Sequence, residues 1–125
     1  MNFDERLQMY IDGEYITKED ANNVNKVVDL FKDEFGIELS EENAGMFIAH
    51  LCAAYSRLHN GEKIETLPVE ILNEVRNTST FNKSLDIVKR IFEVTNSSLD
   101  EEEKNYLLLH INNLLGSYGE SDGTL

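Results

Sequence analysis

The chain has 125 residues, enough for one domain with a real core and too few for two. Its 24 acidic and 11 basic side chains leave a net charge of −13, which repels phosphate backbones and anionic lipids and favours partners with a basic face. Direct nucleic-acid or membrane-surface binding is therefore not expected. Cys52 is the single cysteine, so no internal disulfide is available, as suits a reducing compartment.

The start Met1-Asn2-Phe3-Asp4-Glu5 lacks the basic and apolar regions of a leader peptide. The longest leucine run, Leu107-Leu108-Leu109, is far too short to span a bilayer. A cytoplasmic location is the expectation.

Apolar residues recur at helical spacing and alternating strand patterns are absent. A short first helix, about Phe3 to Ile11, stops at Asp12-Gly13. Thr17 caps a second helix, with Asp20 at the capping-box position and Gly36 at its end. Val24, Val27, Val28, Phe31 and Phe35 form its core stripe. Ser40 caps a third helix running to about His59, with Glu41 and Glu42 at its positive end and Asn60-Gly61 closing it. Pro68 suits the first position of a short fourth helix. Thr80 caps the fifth, carried by Phe81, Leu85, Val88, Ile91 and Phe92. Asp100 opens the last, with Glu103 completing a box-like cap and Leu107, Ile111, Leu114 and Leu115 turned inward. The expectation is an all-α bundle of five or six helices. It divides into an N-terminal helix and turn over 1–16, a helical domain over 17–116 and a flexible tail over 117–125.

Two segments repeat one pattern about sixty residues apart: Leu39-Ser40-Glu41-Glu42 leading to His50, and Leu99-Asp100-Glu101-Glu102 leading to His110. Each has a leucine, a capping residue, an acidic first turn, an apolar run and a histidine at the same offset. At about 100° per residue, each imidazole falls roughly 100° from the centre of its helix's apolar stripe, at the border of core and solvent. The bland reading is a ring that closes the core edge. Such an edge also suits an imidazole that another protein must reach, the requirement for a nucleophile accepting a phosphoryl group.

Arg57, seven residues past His50, projects from the same edge, where it forms a surface ion pair or serves a phosphate on or near His50. Glu103, seven residues before His110, serves either its helix N-terminus or a surface that a phosphodonor recognises. His59 reads as a helix-end residue. No His-Glu-x-x-His, paired cysteines, Gly-rich phosphate loop or nucleophile elbow is present. A metal between His50, His110 and a carboxylate is conceivable, but no ligand spacing argues for one.

The segment Met46-Phe47-Ile48-Ala49-His50-Leu51, with Arg57 and Gly61 beyond it, resembles the first histidine motif of PRD modules, the regulation domains of the bacterial phosphotransferase system. Glu103 to Ile111 resembles the second motif, and Leu67 to Val75 with Ile87, Ile91 and Phe92 resembles the intervening helices. The resemblance covers roughly residues 20–116. It implies a regulatory, non-enzymatic helical module without cofactor, often dimeric, whose histidines take phosphate from phosphocarrier proteins or enzyme II domains and thereby control an effector. By position, His50 and His110 are the phosphorylation sites, with Arg57 and Glu103 supporting them. Ala49 departs from the aspartate many members carry before the first histidine. The chain resembles a small standalone module, so its output is expected through a homodimer or a separate effector protein. The alternative is a PRD-like interaction module that no longer accepts phosphate.

Overall fold

Each helix begins and ends where flanking groups satisfy the backbone. A computed structural model of the chain describes the backbone of residues 2–122 and the side chains of residues 2–116. Helix α1 (Phe3–Asp12) starts behind Asn2, whose side chain accepts the Glu5 N–H. Helix α2 (Lys18–Phe35) opens with a complete capping box between Thr17 and Asp20, and α3 (Glu41–Asn60) with one between Ser40 and Asn43. Both close on glycines in the left-handed region, Gly36 at φ 67° and Gly61 at φ 69°, where a side chain would be strained. Helices α4 (Val69–Arg76), α5 (Phe81–Thr95) and α6 (Glu101–Asp122) complete the fold, and no strand occurs among the described residues. Among the described residues the architecture is all-α, six helices, as the periodicity implies.

Helices α2 and α3 pack on each other, as do α5 and α6, and the two pairs meet through α2 against α5 and α3 against α6. The sixty-residue repeat thus becomes two helix pairs packed together, with α4 lying on α6 and α1 on α2. Phe31, Ile48, Leu51, Ile87, Ile91, Leu107 and Ile111 fill the centre, each almost wholly buried. Each such side chain contributes about 1.5–3 kcal/mol by leaving water. Cys52 lies among them, and burial pushes its thiol up to about 12, so it is an inert core group.

Several local expectations shift. Pro68 stands at the N-cap of α4, one residue before the first helical position. Thr80 stands at the N-cap of α5 but makes no capping bond: its hydroxyl donates to Asn112 Oδ1 at 2.7 Å. That oxygen, on a buried α6 residue, also accepts from Thr78 (3.1 Å) and Ser84 (3.0 Å), tying the α4–α5 turn to α6. Leu58, which by helical spacing continues the α3 stripe of Phe47, Ile48, Leu51 and Tyr55, is exposed instead. The helical backbone of α6 continues past Gly116 to Asp122. The remainder of the expected tail, residues 123–125 and the side chains from 117 onward, lies outside the described residues.

Candidate functional site

Helices α3 and α6 both present polar residues beside their apolar stripes, and their packing brings those edges together. His50 meets His110 with ring centroids 4.7 Å apart and planes inclined by 33°. Arg57, two turns further along α3, meets Glu103, two turns back along α6. Moving about 10 Å forward on one helix and the same distance backward on the other restores contact, so the two helices run antiparallel. Tyr106, one turn before His110, stacks on His50 at 5.6 Å and 25°.

The Arg57 guanidinium donates two bonds to Glu103, Nε to Oε2 at 2.7 Å and Nη2 to Oε1 at 2.9 Å. This fork-to-fork pairing raises the guanidinium's affinity for its proton, against the partial burial of Arg57, which lowers it. Glu103 Oε1 also lies 3.7 Å from His50 Nε2. That separation is too long for a hydrogen bond, and Nε2 is buried with no hydrogen-bond partner.

Burial, reinforced by His110 and Arg57 and opposed by Glu103, pulls the His50 pKa down to about 4. Burial lowers His110 as well. Both rings are therefore neutral at pH 7, in the nucleophilic form.

The two histidines differ in access. His110 lines a groove of about 260 Å³ between α3 and α6, together with Glu41, Glu42, Gly45, Met46 and Leu114. Met46 stands 79% exposed at its rim. The His50 side chain is 12% exposed and does not reach the groove. Glu41, on the groove wall, is held by a bidentate pair with Arg6 of α1 at 2.8 and 2.6 Å.

The edge placement inferred for both histidines gives a single cluster, and one inference about its supporting residues needs correction. Arg57 takes the ion-pair reading, with both of its side-chain bonds on Glu103. Glu103 is neither a surface residue nor the second half of a capping box. Its backbone N–H completes the Asp100 cap at 3.0 Å, while its carboxylate is buried against Arg57 and His50.

His59 lies apart from the cluster, at the end of α3, with Nε2 2.7 Å from the buried carboxylate of Asp20. Tyr106 was not anticipated, though its spacing of four before His110 places the two on one face of the helix. Among the described residues no group of three or more histidine, cysteine or acidic side chains is arranged to hold a metal ion. No helix among them is long and apolar enough to cross a membrane.

Residues 25–114, from within α2 to the middle of α6, match the family model of the PRD domain. The chain belongs to the PRD domain family. PRD domains are regulatory modules linked to the phosphotransferase system, not catalysts, and α1 lies outside the matched segment. The chain is also similar to the uncharacterized protein YhfY of Escherichia coli K12, with 24% identity over 106 residues, 85% of this chain and 88% of that protein. No solved structure matches it.

Proposed function

We propose that this PRD module accepts a phosphoryl group on histidine from a phosphotransferase-system carrier or enzyme II domain. The new charge then changes its self-association or its hold on an effector protein. One observation carries the reading: a neutral imidazole, His110, faces an open groove while packed against a second neutral imidazole, His50.

A pyridine-type ring nitrogen attacks the phosphorus held by the donor, forming a new N–P bond as the donor's bond to phosphorus breaks. The ring loses the proton on its other nitrogen, and the departing group takes up a proton. The product carries about −1.5 to −2 charges at neutral pH. With Glu41 paired to Arg6, Glu42 is the acidic side chain left on the groove wall, and added anion there weakens any self-contact through the exposed Met46 rim. A homodimer that loosens on phosphorylation follows.

A second reading, an interaction module that no longer takes phosphate, is favoured by the Arg57–Glu103 pair. It neutralises the guanidinium nearest the histidines and leaves a carboxylate facing His50. The test is incubation with phosphoenolpyruvate, enzyme I and the histidine phosphocarrier, following acid-labile phosphate and sedimentation together. Incorporation with a change in sedimentation supports the first reading. Absence of incorporation with carriers and enzyme II domains alike supports the second.

A further inference from the structure

We infer that His50 and His110 form one phosphoryl slot rather than two, filled on His110, with the Arg57–Glu103 pair acting as the gate that keeps His50 closed. The inference deepens the proposed acceptor role and rests on the rings being acceptors, whatever the donor.

Two observations carry it. The first is the separation of the rings. Centroids 4.7 Å apart place two N-phosphoryl groups within about a Debye length of each other, in a partly buried, low-dielectric setting. With about −1.5 to −2 charges on each group, the first opposes the second strongly. The cation that could offset this, Arg57, has both bonds on Glu103.

The second observation is the asymmetry between the rings. His110 opens onto the groove, whereas His50 Nε2 is buried, partnerless and faced by a carboxylate oxygen at 3.7 Å. The Glu103 carboxylate sets negative charge beside that nitrogen, which opposes an anionic donor there. Tyr106 lies against one face of His50, and His110 packs against it as well. Opening the gate requires Arg57 to leave Glu103, after which the guanidinium would be free to receive a phosphate on His50.

The experiment uses phosphoramidate, a small chemical phosphodonor that needs no carrier. The imidazole attacks phosphorus, the P–N bond of the reagent breaks, and ammonia leaves as the ring gives up its second proton. The parent protein is the full chain carrying His59→Gln, which leaves His50 and His110 as the only histidines. Intact mass then counts groups per molecule, and fragment mass spectrometry at neutral pH places them.

Saturation at one group, on His110, is expected. His110→Gln in this parent should slow uptake at least tenfold, because His50 stays closed. Adding Glu103→Gln to His110→Gln should restore uptake on His50. Should the Glu103 variant not fold, the His110→Gln protein decides alone. Two groups on the parent overturn the single slot, and undiminished labelling of His50 in His110→Gln overturns the gate. No label on the parent, under conditions that label His59 of the natural chain, overturns both. One group from phosphoramidate but none from any carrier leaves the slot standing and removes the phosphotransferase reading.

Discussion

Replacing Arg57 with alanine strands a buried carboxylate, and the cost can be worked from the site. The substitution removes two charge-assisted bonds of 2.7 and 2.9 Å and leaves Glu103, whose side chain is 5% exposed, facing a neutral imidazole. Breaking a buried pair by removing one partner costs about 3–5 kcal/mol. Arg57 is itself 22% exposed, so water reaches part of the site and the lower end, about 3 kcal/mol, applies. For a domain of this size that lowers Tm by on the order of 10 °C.

The reverse change, Glu103→Ala, leaves a guanidinium that can turn to solvent and costs about 1–2 kcal/mol. The double variant should accordingly be more stable than Arg57→Ala alone. Acid should relieve part of the Arg57→Ala penalty. Arg57 is one of the groups that depress His50, so its loss lets His50 take a proton more readily beside Glu103. The gap to the natural chain therefore narrows as pH falls from 7 to 5. Urea unfolding at the two pH values checks this. A loss no larger for Arg57→Ala than for Glu103→Ala, or a gap independent of pH, would refute the reasoning.

Three further outcomes are expected. With His50 held down to about 4 against an ordinary value of 6.5, the unfolded chain binds a proton that the native chain refuses between those limits. Stability therefore falls as pH drops through this window, by on the order of 2–3 kcal/mol at pH 4.5 from this ring, with His110 adding in the same direction. His50→Gln should lessen the fall in the urea midpoint between pH 7 and 4.5. Asn112→Ala removes the acceptor of the Thr80 hydroxyl and the inter-helix contacts of Thr78 and Ser84, whose hydroxyls retain the Val75 and Thr80 carbonyls. It should cost about 1–3 kcal/mol by thermal unfolding. Gly45 and Gly116 should respond differently to alanine. At Gly116 nothing among the described residues lies within 4 Å of an added Cβ, so up to about 1 kcal/mol of helix propensity is gained. At Gly45 the Cβ would meet Glu41 Oε1 at 3.1 Å, and Arg6 holds that carboxylate in place. The gain at Gly45 should appear only when Arg6→Ala is also present, as thermal unfolding of the four proteins would show.

Much of the fold is written locally. Thr17, Ser40 and Asp100 cap helices because each offers an oxygen to a backbone N–H three residues on, and Gly36 and Gly61 end helices because they accept positive φ. The leucine and isoleucine stripe of α6 is buried as its spacing implies. Thr80 and Glu103 depart from expectation for one reason: a partner distant in sequence competes for the side chain. Asn112 takes the Thr80 hydroxyl and Arg57 takes the Glu103 carboxylate. Helical periodicity places a side chain on an edge but does not say what packs against that edge.

A signal for the pairing was nonetheless present. Arg57 follows its histidine by seven residues and Glu103 precedes its own by seven. If the two histidines meet on antiparallel helices, those offsets bring the arginine and the glutamate together. The spacing becomes informative only once that docking is supposed. The buried state of His50, its partnerless nitrogen and the stacking of Tyr106 depend on the docked helices and have no local signature.

The central claim is phosphoryl acceptance at His110. Its most direct test is transfer from phosphoenolpyruvate through enzyme I and the histidine phosphocarrier to the natural chain, His50→Gln and His110→Gln in parallel. The account predicts phosphohistidine on the natural chain and on His50→Gln, and its loss in His110→Gln. Incorporation that survives in His110→Gln and disappears in His50→Gln would contradict it.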